Sequence, residues 1–196
     1  LLAKLYPDRH THMTVEGMQT KTDVGEQPIG QEAVEGAVGR LLYVINKVGA
    51  EVTGTAAVIA IENGLFRRGR QATAPAVGAW AMRGVLDSQG ADLSTAFDST
   101  ARYEDRAVVA LQLPGCGGVI QLSPPEMSVE FPSEAVLAAH DSTGGFATTT
   151  VGSILEEMGL VTDKQNPHAS LTHGAISRQM QMERTIMLAL TQAAPL

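Results

Sequence analysis

Apolar positions follow two periods along this chain, and the changes of period mark out its elements. In residues 11–17, Met13 and Val15 alternate with polar neighbours, the two-residue period of a half-buried strand. Before them, residues 3–7 read as a helix tail closed by Tyr6-Pro7-Asp8. From Gln31 the period lengthens. Val34, Ala37, Val38, Leu41, Leu42, Ile45 and Val48 fall three and four apart, which predicts one apolar face of a helix that Gly49 ends. Residues 56–61 are an unbroken apolar, β-branched run, the pattern of a central strand covered on both faces, and the run stops at Glu62-Asn63-Gly64. Residues 103–113 and 117–122 predict two strands joined through Pro114-Gly115-Cys116-Gly117, a hairpin. Ser133 stands where a helix over 134–140 needs its N-cap. A Gly/Thr-rich loop over 141–150 leads into a helix over 151–158 followed by Gly159, and Ser177 caps a last helix running to about Gln192. Residues 66–98 break the pattern. They carry Arg67, Arg68 and Arg70, small residues and a short helix over 77–86, and read as an insertion of roughly 30 residues.

Composition narrows the class. At 196 residues the chain makes one α/β domain, long enough to bury roughly 70% of its unfolded surface without disulfides or structural metals. Its single cysteine, Cys116, forms no internal disulfide and points to a reducing, cytoplasmic location. A net charge of −7 argues against a nucleic-acid partner, which requires a basic face. No apolar run approaches the roughly 20 residues that span a bilayer, so no membrane partner is expected. The first residues, Leu1-Leu2-Ala3-Lys4-Leu5, lack the pattern of a signal peptide and read as the end of a helix that begins upstream.

Three constellations could carry chemistry. In the first, Gln27-Pro28-Ile29-Gly30 precedes Glu32, Gly36 and Arg40, whose spacing of four places them on one helix face. A carboxylate in the first turn faces the loop crevice, where hard cations bind through oxygen; the plain alternative is an acid at the positive helix end with an arginine two turns on. In the second, Ile61-Glu62-Asn63-Gly64 delivers a carboxylate at the C-terminal end of an apolar strand, where open α/β sheets place ligands; a solvated strand end explains it equally. In the third, Leu171-Thr172-His173-Gly174-Ala175-Ile176-Ser177-Arg178 opens the last helix, where Ser177, Arg178 and the free amides suit phosphate, or simply cap a helix. His168 and His173 lack a supporting cluster and are not read as metal ligands. His10 and His12 read as solvated or packing residues. The sequence holds no phosphate loop of the G-x-x-x-x-G-K-[ST] type, no G-x-G-x-x-G and no G-x-S-x-G.

In this order the three segments resemble the inosine/xanthosine triphosphatase family over about residues 24–190. Gln27-Pro28-x-Gly30 followed by Glu32-x-x-x-Gly36-Ala37-x-x-Arg40 resembles its Q-P-x-G…E-T-x-x-G-A-x-x-R motif. Ala60-Ile61-Glu62-x-Gly64 resembles its I-E-x-G, and Leu171-Thr172-x-Gly174-x-Ile176-Ser177-Arg178 its L-T-x-G-x-[IL]-[ST]-R. The resemblance implies one domain over 1–196: an α/β fold with a central mixed sheet flanked by helices, two lobes around a nucleotide cleft, and a homodimer. It implies a phosphatase that converts ITP or XTP to the diphosphate with Mg²⁺ or Mn²⁺. Glu62 and Glu32 would be the metal-binding and water-activating carboxylates, and Gln27, Gly64, Thr172, Ser177 and Arg178 would meet the substrate. A related pyrophosphatase chemistry would release pyrophosphate instead.

The chain departs from the family pattern in several places. It begins after the family's first strand and [ST]-x-N-x-x-K loop, Ala33 replaces the usual threonine, and the loop from Gly30 to Glu32 is one residue short. Its stretch from Thr149-Thr150-Val151-Gly152 to Arg178 also resembles the C-terminal domain of the proline-rich coiled-coil protein, a relative with a worn motif set. The alternative to the enzyme is therefore a catalytically silent nucleotide-binding or scaffold domain of the same fold.

Overall fold

The structure is a computed structural model that describes residues 14–69, 83–84 and 92–193. The helix tail over 3–7 and residues 11–13 lie outside the described residues. So does the helix expected over 77–86, except Arg83 and Gly84, which form a two-residue strand. Residues 14–17, read as strand, carry no regular structure and are exposed.

The amphipathic period beginning at Gln31 produces α1 (Gln31–Thr53). Gly49, expected to end this helix, instead breaks it: its φ of 79° and ψ of 173° are non-helical, and one further turn follows. The strands are β1 (Val58–Arg67), β2 (Arg83–Gly84), β3 (Tyr103–Gln112), β4 (Gly118–Leu122) and β5 (Val129–Phe131). They form one mixed sheet in the order β1-β3-β4-β2, antiparallel except where β2 runs parallel to β4. β4 and β5 share the far edge of β3, pairing with its two ends. The expected hairpin is β3–β4, closed where Cys116 N–H donates to Leu113 O at 3.2 Å.

The strand read at 56–61 differs in two ways. It does not stop at Glu62 but continues to Arg67, paired with β3 throughout, so Glu62 sits in mid-strand. Among the described strands it also stands at the edge of the sheet rather than at its centre. Of its apolar run Val58 and Ala60 are buried beneath α1 while Ile59 is exposed, and burial of a face says nothing about pairing at the edge.

Alternation along the strands sends side chains to two helical layers. Val58, Ala60 and Phe66 of β1, Val108 and Ala110 of β3, and Ile120 and Leu122 of β4 pack beneath Ala33, Val34, Ala37 and Leu41 of α1. On the other face Ile61, Val109, Leu111 and Val119 meet Ala189, Leu190 and Ala193 of α5 (Arg178–Ala193). A third cluster joins Leu65, Tyr103, Val129 and Phe131 to α2 (Ser133–Asp141) and α3 (Val151–Glu157). Each fully buried Leu, Ile or Phe contributes about 2 kcal/mol. A charged side chain is enclosed within these layers. Arg106, 1% exposed, donates from Nε to Ser123 O at 3.0 Å and sits 5.9 Å from the Phe66 ring centre, and burial pushes its guanidinium below the ordinary value.

Ser133 is the first residue of α2 after Pro132 and makes no side-chain cap, whereas Thr150 caps α3 by accepting from Ser153 N–H at 3.1 Å. Gly159, after α3, has φ 72° as expected of a residue closing a helix. Among the described residues, no helix is long and apolar enough to cross a membrane.

β1 and α1 approach closely at Gly64, where a Cβ would stand 2.5 Å from Ala33 Cβ and 2.9 Å from Pro28 O. Gly64→Ala is therefore expected to destabilise the fold by about 2 kcal/mol through overpacking, measured as a lowered urea midpoint. An unchanged midpoint would contradict this contact.

Candidate functional site

The first motif assembles as its spacing predicts. Glu32, Gly36 and Arg40 share the face of α1 that lies over β1, and Gly36 leaves the space that Glu62 fills: a Cβ there would stand 2.9 Å from Glu62 Oε2. Glu62 Oε2 accepts from Arg40 Nε at 2.8 Å and stands 2.7 Å from Arg40 Nη2. Its other oxygen accepts from Asn63 N–H at 3.2 Å. Arg40 Nη1 reaches the Thr20 hydroxyl at 3.2 Å. Glu32 turns back on its own helix, where Oε2 accepts from Ile29 N–H at 3.1 Å.

These contacts bear on the divalent cation that the resemblance implies. Mg²⁺ is held by carboxylates free to offer oxygens in a near-ideal octahedron. Here Oε2 of Glu62 is engaged by the Arg40 guanidinium and Oε1 by Asn63 N–H, so a dication on this carboxylate would stand beside a positive charge. The residues present do not fit Mg²⁺ or Mn²⁺ in this arrangement. No group of three or more His, Cys, Asp or Glu that could hold a metal occurs among the described residues.

The remaining motif residues bond within the chain. Gln27, 7% exposed, accepts at Oε1 from Val151 N–H at 3.1 Å, tying the loop before α1 to the start of α3. Thr172, at the end of α4 (Pro167–Leu171), accepts from Ile176 N–H at 2.9 Å and closes the turn before α5. Ser177 caps α5 as expected, accepting from Met180 N–H at 3.1 Å. Arg178 opens that helix, and its side chain is 27% exposed.

Arg178 belongs to a cluster that the sequence did not reveal. Asp105, on β3, is fully buried, and its Oδ2 accepts from Asn63 Nδ2 at 3.1 Å and from His168 Nε2 at 2.8 Å, with Arg178 Nη2 at 3.8 Å. A carboxylate only accepts, so Nε2 carries the imidazole proton toward it. Asn63 Nδ2 also donates to Gln181 Oε1 at 3.0 Å, and Gln181 Nε2 donates to the main-chain oxygens of Asp105 and Met127 at 3.0 and 2.9 Å. Asp105 Oδ1, His168 Nδ1 and Arg178 Nε are buried without a partner.

The two halves of the expected site therefore lie apart. Glu62 and Asn63 are successive residues of one strand and point to opposite faces, so the Glu32–Arg40–Glu62 group faces α1 and the Arg178 group faces α5. Asp105 stands between Glu104 and Arg106 at the charged start of β3, so nothing in the sequence singles it out, and two of its partners lie 42 and 63 residues away. His168, set aside as isolated, is one of them. The arginines of the irregular stretch are engaged: Arg67 pairs with Asp92 and Asp98 at 3.9 and 3.7 Å, and Arg68 with Glu130. Arg70 and the histidines at 10 and 12 lie outside the described residues.

No protein-family model, curated protein or solved structure matches this chain.

Removing one member of a buried carboxylate–imidazole pair leaves the other without its partner. His168→Ala is expected to cost about 3 kcal/mol and lower the thermal midpoint by several degrees. A midpoint within one degree of the parent would show that the pair carries little of the stability.

Proposed function

We propose that this chain is a catalytically silent relative of the inosine/xanthosine triphosphatases, keeping their nucleotide-cleft architecture as a scaffold that binds a partner. The observation that carries this reading is the Arg40–Glu62 pair. The carboxylate that a phosphatase would turn on a metal is instead the acceptor of an internal guanidinium, closed over by Gly36. The other motif residues support it: Gln27, Glu32, Thr172 and Ser177 all direct their polar atoms at the chain's own backbone. The motif survives in this reading because it ties α1, β1, α3 and α5 together.

The test is release of orthophosphate and pyrophosphate from ITP, XTP, GTP and ATP with Mg²⁺ or Mn²⁺, using the full chain. The expected result is no release above the protein-free rate. Orthophosphate from ITP or XTP in clear excess over ATP would overturn the reading and restore the phosphatase; pyrophosphate with a monophosphate would restore the related pyrophosphatase. In the silent reading Glu62→Gln acts on stability alone, costing about 1 kcal/mol for a partly exposed ion pair, which denaturant titration measures.

A further inference from the structure

The edge of β1 opens into a groove of about 890 Å³. One wall is the stripe Val44, Val48 and Val52 on α1, the floor is β1 from Val58 to Ile61, and residues 16–20 form the far side. Apolar side chains crowd its mouth: Ile59 is 38% exposed, Met18 39% and Val52 43%.

The backbone of the floor identifies what the groove accepts. Leu65 N–H donates to Pro28 O at 2.9 Å and Leu65 O accepts from Gly30 N–H at 2.8 Å, so the peptide groups of Leu65 face away from β3. The β1–β3 register runs without a bulge, so Ile59 and Ile61 direct their N–H and C=O groups the same way, into the groove. Neither makes a hydrogen bond there among the described residues. Peptide groups without a partner among the described residues, set between a wall of valines and the largely polar residues 16–20, match an extended backbone. The same edge already takes one, since the segment around Ile29 pairs with it at Leu65 in parallel.

We propose that this groove binds an extended, apolar segment of a partner protein, which adds to β1 as a further strand in line with the Pro28–Gly30 pairing. The proposal rests on the scaffold reading and names the class of partner. Main-chain bonds to Ile59 and Ile61 give affinity, and alternate side chains of the guest pack on the Val44–Val48–Val52 stripe.

The test uses the full chain and a fluorescein-labelled heptapeptide, Lys-Val-Thr-Val-Thr-Val-Lys, whose basic ends suit a protein of net charge −7. Saturable binding is expected by fluorescence anisotropy. Ile59→Pro removes an N–H that β3 does not use, and is expected to weaken binding about tenfold or more. The same peptide N-methylated at alternate residues is expected to lose binding to the unaltered chain, a readout that does not depend on any variant folding. No binding, or binding indifferent to both changes, would overturn the proposal. So would slow amide exchange at Ile59 and Ile61 in the protein alone, which would place the chain's own residues in the groove, and so would loss of peptide binding through self-association seen in sedimentation. The phosphate assay stands apart: a chain that hydrolyses ITP yet binds the peptide fails the scaffold reading and keeps the groove.

Discussion

The constraint on which the candidate site depends is the contact between the first turns of α1 and the middle of β1. Glycine at 36 and at 64 removes the two side-chain methyl positions that would hold helix and strand apart. Once they close, the Glu62 carboxylate is trapped against the helix, and a trapped carboxylate requires a partner. Arg40, one turn beyond Gly36, supplies it. The spacing Glu32, Gly36, Arg40 thus reads as one packing solution: a cap, a gap and a counter-charge on successive turns of the same face.

The opposite face of the sheet is organised by a polar core. Asp105 gathers Asn63 from β1, His168 from α4 and Arg178 from α5, while Gln181 fastens α5 to the β3 backbone and to Met127. Hydrogen bonds are directional where apolar contacts are not, so the three bonds of Gln181 fix the rotation of α5 over the sheet, which Ala189 and Leu190 alone would leave loosely specified. The price is three buried polar atoms without partners.

Periodicity made much of this fold legible. Val34 to Leu41 announced α1, residues 103–122 announced the hairpin, and Ser177 marked the start of α5, because each signal is local and set by the side chains themselves. Three features were hidden for physical reasons. The continuation of β1 past Glu62 depends on pairing with β3, which overrides the weak strand preference of Glu-Asn-Gly. Its edge position is a property of topology. The Asp105 cluster draws its members from distant parts of the chain, so no window contains it. At the candidate site the spacing placed Glu32, Gly36 and Arg40 on one helix face, but the contact of Gly36 and Arg40 with Glu62 depends on packing, and alternation along β1 puts Arg178 on the far side.

The bond from Asn63 to Gln181 spans 118 residues, and that from Gln27 to Val151 spans 124. On the ribosome α1 and β1 emerge first, and the groups that satisfy Asn63 and Gln27 arrive only 118 and 124 residues later. Closing such distant pairs is slow, and until then the sheet is displayed to the cell without the layer that α5 supplies. Synthesis rate and chaperone access thereby become determinants of how much of this protein reaches its folded state.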